Sequence, residues 1–150
     1  AIADCAAERL SEPDPVPTPK ASVHLWRALE DFNWSGRESS PYKDAGDLAY
    51  KGVRRVELAG RHGERTAYDL RYFEVAPGGY SSYEKHVHAH VVIGARGVGR
   101  LRLSDKEVAL TRDDVAYIEP LQAHQLCNDS DSPFGFYCIV DHHRDRPMKP

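Results

Sequence analysis

From Tyr50 onward, apolar and polar residues alternate in short runs that turn residues interrupt. VRRVELAG (53–60) reads as a strand and RHGER (61–65) as a turn. TAYDLRYFEVA (66–76) reads as a longer strand that Pro77, Gly78 and Gly79 stop. YSSYEKHVH (80–88) and VVIGARGVGRLRL (91–103) read as strands divided near a group of histidines. KEVALT (106–111), VAYIE (115–119), HQLCND (124–129) and FGFYCIV (134–140) follow, with turns at Ser104–Asp105, Arg112–Asp113 and 129–133. About eight strands at short, regular spacing predict an all-β sandwich or barrel. Upstream, VHLWRALEDF (23–32) places Leu25, Leu29 and Phe32 at helical spacing behind a possible N-cap, Ser22, and predicts a short amphipathic helix. Trp26 and Trp34 beside it would pin the segment onto the domain or onto a second subunit. Pro13, Pro15, Pro17 and Pro19 allow neither a helix nor a central strand.

The expected organisation is a Pro-rich arm (1–20), a short helix and loop (21–49), one barrel (50–143) and a C-terminal tail (144–150). At 150 residues the chain is long enough for one domain with a real core. Its net charge of −3 and pI of about 6.2 carry no electrostatic footprint for nucleic acid. No apolar run is long enough to cross a membrane as a helix, and no signal peptide is visible. The 3 cysteines, Cys5, Cys127 and Cys138, lack CxxC spacing and suit a reducing compartment, so the cytoplasm is expected.

The chemistry concentrates in GGYSSYEKHVHAHVVIGARG (78–97). Glu84, His86, His88 and His90 recur at every second position and would share one face of a straight strand. Imidazole and carboxylate groups pointing into a barrel suit one divalent transition metal ion: Fe, Mn, Ni, Cu or Zn. His124, at the start of another strand, is the expected partner. Cys127 and Cys138 read as buried thiols, and His142–His143 as an exposed end to the last strand.

These two stretches resemble the two sequence motifs of the cupin superfamily. With Gly78 and Gly97 as the ends of the first, Glu84 falls at its first His position, His86 at its second, and His90 where the acid normally stands. Pro120, His124 and Asn128 follow the second, with Asp113 and Leu121 where the family carries glycine. The resemblance spans roughly residues 50–140 and implies a single cupin (jelly-roll) β-barrel. It also implies a permuted metal set of Glu84, His86, His90 and His124. In an alternative register His86 and His88 form the His-x-His pair, which puts Val92 or Ile93 at the acid position.

The resemblance further implies a mononuclear metal-dependent enzyme acting on a small oxygenated molecule, with dioxygenase-like chemistry favoured. A metal-dependent isomerase or lyase, and a non-catalytic small-ligand-binding or sensing cupin, are the alternatives. Arg71, Tyr83 and Gln122 are candidate substrate-binding residues, and no catalytic acid or base is assigned. A small-molecule substrate and a homodimer are the expected partners.

Overall fold

The computed structural model describes residues 23–43, 48–145 and 147–150. The Pro-rich arm and Ser22 lie outside them. Among the described residues eleven strands occur: β1 Ala28–Leu29, β2 Asn33–Trp34, β3 Ser39–Pro41, β4 Lys51–Ala59, β5 Tyr68–Tyr80, β6 His90–Arg96, β7 Gly99–Leu103, β8 Glu107–Leu110, β9 Val115–Ile118, β10 His124–Cys127 and β11 Phe134–Asp141. All but β1 and β2 join one antiparallel sheet, which runs β8-β7-β10-β5-β11-β6-β9 with β4 on β5 and β3 on β4. The sheet curls into a nearly closed barrel, as the alternating pattern predicts. No helix among the described residues is long and apolar enough to cross a membrane.

β5 organises the barrel. Its 13 residues pair with β4 along one edge and β11 along the other, and Tyr80 at its end reaches Cys127 of β10. Alternation then sorts its side chains. Arg71, Phe73 and Val75 are buried on one row, and Phe73 and Val75 pack with Phe134, Phe136, Cys138 and Val140 of β11. Tyr42, Val53, Val92, Leu101, Leu110, Ile118 and Leu126 complete this core. Each large side chain buried there contributes about 1.5–3 kcal/mol of transfer free energy. Tyr72 faces the other way and packs with Val56 and Leu58 against Phe32, Trp34 and Tyr137.

The predicted helix over 23–32 does not form. Ala28–Leu29 and Asn33–Trp34 instead pair as a small hairpin around a 3₁₀ turn at Glu30–Phe32. Asp31 and Phe32 have φ of 53° and 51°, a left-handed conformation that no α-helix admits. Tertiary contacts decide the matter. Phe32 stacks on Tyr72 with ring centroids 5.2 Å apart, and Trp34 lies 5.1 Å from the same ring. Leu25 and Leu29, which a helix would have buried, are exposed. The tryptophan segment thus docks on its own barrel, and Trp26 is covered by Arg37 at 4.0 Å.

The strand expected over 80–88 is also largely absent. The chain leaves β5 at Tyr80 and re-enters a strand at His90, with only isolated bridges at Glu84 and Lys85 between. At the ends of this stretch Gly78 and Gly97 have φ of 67° and 65°, the left-handed region that glycine enters without strain. Asp113 and Leu121 keep φ of 68° and 64°. The turn geometry therefore survives without glycine. Asp113 N–H donates to Gly94 O at 3.0 Å, and Leu121 N–H is bonded to His86 O at 2.5 Å.

Candidate metal centre

The irregular path over 81–89 gathers the histidines, because a straight strand would have spread them along one face. One ring nitrogen from each of His86, His90 and His124 lies within 4.8 Å of the others, and all three residues are buried. The ring centroids of His86–His90 and His90–His124 are 4.9 Å and 4.8 Å apart. His124 Nδ1–H donates to Gln122 O at 2.8 Å, which leaves Nε2 with a lone pair for the cluster. His90 Nδ1 lies 3.4 Å from Cys138 Sγ. His90 Nε2 and both nitrogens of His86 are buried without a hydrogen-bond partner among the described residues. Buried polar atoms are rarely left in that state. Orphaned imidazole nitrogens facing one another, with outer nitrogens held by a carbonyl and a thiol, fit a divalent transition metal.

Electrostatics agree. Burial pushes the pKa of His90 far down, and the neighbouring His124 and His86 push it further. Burial also lowers His124, against the hydrogen bond to Gln122 O that raises it. Both rings are neutral near pH 7, the form that binds metal.

Glu84 stands beside the triad. Its Oε1 is 3.2 Å from His86 Nε2, while Oε2 accepts hydrogen bonds from Ser82 Oγ at 2.6 Å and from Lys43 Nζ. Burial raises its pKa, but the adjacent His86 imidazole and the hydrogen bonds from Lys43 and Ser82 overcome this and hold it down at about 2. The carboxylate is ionised, matching either a fourth ligand or a group that orients His86. His88 stacks on His86 and His90 with ring centroids 4.5 and 5.0 Å apart, and forms a second set with His86 and Asp145. Its Nδ1–H donates to Asp145 Oδ1 at 2.5 Å.

A cavity of about 100 Å³ opens onto the triad. Arg71 lines it, as does Glu84. Tyr83 and Gln122 do not. Tyr83 carries Arg102 over its ring at 4.8 Å, and the Gln122 side chain donates to Ser104 Oγ and Ala123 O. Gln122 serves the site through its main-chain oxygen alone. Tyr42, Lys43, Ser82, Cys138 and Asp145 line the cavity without having been singled out as site residues. Strand parity could have placed Cys138, because it shares a buried row with Phe136 and Val140 on β11. Nothing in the sequence brings Lys43 or Asp145 to the site. Asn128 is fully buried and structural: its Nδ2 donates to Val75 O and Ser132 O, both at 2.8 Å.

A nearly closed antiparallel barrel with a histidine cluster converging inside it, suited to holding a metal ion, defines the class of protein. The chain belongs to the cupin superfamily: the family model described as "Cupin domain" matches residues 71–140. A relative from Rhodospirillum rubrum, named 1-methylthio-D-xylulose 5-phosphate methylsulfurylase, is 34% identical over 119 residues, covering 79% of this chain and 75% of that protein. A cupin 2 conserved barrel domain protein from Rhodopseudomonas palustris superposes with a TM-score of 0.77 at 32% identity, covering 85% of this chain and 86% of that one. A cupin 2 domain-containing protein from Halorhodospira halophila gives a TM-score of 0.64 at 39% identity, covering 85% of each chain.

Proposed function

We propose that this chain is a mononuclear metal-dependent cupin enzyme acting on a small oxygenated molecule. The observation that carries this reading is the convergence of His86, His90 and His124, with ring nitrogens of His86 and His90 buried and without a hydrogen-bond partner among the described residues. These three would hold the ion, with Glu84 as fourth ligand or as the group that orients His86. When bound, a divalent transition metal supplies Lewis-acid polarisation of a substrate oxygen or activates O2. The cavity walls do the rest. Lys43 neutralises Glu84, and the apolar faces of Phe73, Val92 and Phe136 exclude water. Tyr42 is held protonated, because burial and the charge of Glu84 push its pKa up. It therefore offers a neutral hydroxyl to its partner Ser82, 3.0 Å away.

Two chemistries share this arrangement. The dioxygenase-like one needs an oxidisable metal. The isomerase- or lyase-like one needs only polarisation of a carbonyl or hydroxyl. The named substrate of the Rhodospirillum rubrum relative is a sugar phosphate, which favours the second. Elemental analysis of protein purified without added metal, followed by O2 uptake with diketones, catechols and thiols, separates them. Stoichiometric iron with substrate-dependent uptake supports the dioxygenase. Manganese, nickel or zinc without uptake, together with turnover of a ketose phosphate, supports Lewis-acid chemistry. Bound metal with no turnover of any of these supports a sensing or ligand-binding cupin. Protein that retains no transition metal removes the proposal.

A further inference from the structure

We propose that Arg71 is the anchor for an oxyanion of the substrate, a carboxylate or a phosphate. This deepens the metal-dependent reading and rests on it. Arg71 occupies the inward row of β5 with Phe73 and Val75, a row that sheets normally give to apolar side chains. It is 9% exposed, and a buried guanidinium is strongly unfavourable unless something compensates its charge.

Internal compensation is incomplete. The hydrogen bond Arg71 makes among the described residues runs from Nη2 to Cys138 Sγ at 3.3 Å. Its Nε is buried with no hydrogen-bond partner among the described residues. The guanidinium lies 5.0 Å from the Phe73 ring centroid, which offsets part of the cost. Glu57 stands opposite on β4, but its carboxylate is directed at Arg55 Nε, 3.2 Å away. Two guanidiniums on the cavity wall thus share one carboxylate. The other acids nearby are occupied: Glu84 by Lys43 and Ser82, and Asp145 by His88.

The position is right for a molecule held at the triad. Arg71 Nη2 and His90 Nδ1 contact the same sulfur, Cys138 Sγ, at 3.3 and 3.4 Å. A ligand reaching the open side of His86, His90 and His124 therefore meets the guanidinium in the same cavity. Arg offers a planar pair of N–H groups that matches a carboxylate or phosphate edge. Its incompletely compensated charge selects anions over neutral sugars or alcohols.

Isothermal titration of wild type, Arg71→Met and Arg71→Lys with inorganic phosphate and with malonate tests this. Each protein is titrated metal-free and metal-loaded, and its metal content and melting temperature are measured. Wild type is expected to bind at least one of the two anions in both forms. Arg71→Met should weaken that binding by about tenfold or more, and Arg71→Lys by less, with metal content unchanged. Binding of phosphate alone points to a phosphorylated substrate, and of malonate alone to a carboxylate. Equal affinities in the three proteins, or no anion binding by wild type, overturn the proposal. Arg71-dependent anion binding in protein that retains no metal leaves the anchor standing and removes the metal-dependent reading instead. Should Arg71→Met fail to fold, Arg71→Lys against wild type carries the same comparison.

Discussion

Glu84 and His124 exchange both main-chain hydrogen bonds, Glu84 N–H to His124 O at 3.1 Å and His124 N–H to Glu84 O at 2.9 Å. This bridge ties the first histidine stretch to the strand that carries the last histidine. The backbone, not the side chains, fixes their distance. Ligand substitutions should therefore separate metal binding from folding.

His124→Ala should lose its metal while remaining folded. Elemental analysis is expected to fall from one transition-metal ion per chain to a small fraction of that. The metal-free forms of variant and wild type should differ by only about 1–2 kcal/mol in denaturant unfolding, the cost of truncating a buried side chain. A variant that keeps one metal per chain would remove His124 from the site.

Glu84→Gln distinguishes ligand from orienting group. The loss of an orienting partner typically lowers metal affinity about 10–100-fold, so competition with a chelator should show a shift of that size. Complete loss of metal would make Glu84 a direct ligand.

Asp69 predicts the acid limb of stability. It is 0% exposed and accepts bonds from Arg61 Nε at 2.6 Å, His142 Nδ1 at 2.7 Å and Arg144. Burial raises its pKa, but these three partners together pull it below the usual carboxylate value. The unfolded chain therefore binds the proton more tightly than the folded one. The contribution is complete above the unfolded pKa of about 3.9 and disappears as pH falls through the lower folded value. Asp69→Asn should lower stability at pH 7 by about 2 kcal/mol or more. It should also flatten the decline in melting temperature between about pH 5 and pH 2, as read by calorimetry at stepped pH.

Leu121→Gly should raise the melting temperature. Leu121 holds φ of 64° and is 55% exposed, so it is strained and buries little. Left-handed backbone costs a non-glycine residue about 1–2 kcal/mol, against about 0.5–1 kcal/mol of chain entropy that glycine adds. The net gain is a fraction of a kcal/mol to about 1 kcal/mol, or about 2–4 °C at the upper end.

Trp34→Ala tests where the tryptophan segment docks. Trp34 packs within its own chain on Tyr72 and Tyr137. The variant should lose about 2–3 kcal/mol, and its melting temperature deficit should not depend on protein concentration. A deficit that shrinks with concentration would mean that a second copy completes the contact, and sizing chromatography would then show the expected homodimer.

The barrel was legible because alternation decides it. Phe134, Phe136, Cys138 and Val140 are buried in a row, as period-two patterning requires. His86 and His90 were legible through their spacing between Gly78 and Gly97, and His124 through its spacing from Pro120 and Asn128. What failed was local structure that distant contacts override. Leu25, Leu29 and Phe32 have helical spacing, but Tyr72 supplies a better partner for Phe32 than a helix could. Lys43 and Asp145 reach the cavity from segments with no periodic pattern, so no spacing rule points to them. Tyr83 and Gln122 are near histidines in sequence, but nearness does not set direction where the chain leaves the sheet.

That departure has a consequence for how such sites diversify. Inside a paired strand, moving a ligand by one position turns it to the opposite face, and moving the strand to follow it reverses every neighbour. Between Tyr80 and His90 no continuous ladder constrains the chain, which isolated bridges and single bonds such as Leu121 N–H to His86 O hold in place. Acid and imidazole can trade places there without disturbing the pairing of β5 with β11 or of β6 with β9. The permuted order Glu84, His86, His90 is thus an arrangement the barrel tolerates at little structural expense. If the histidine cluster holds a metal as proposed, its preference can drift by substitution within ten residues while the barrel around it stays unchanged.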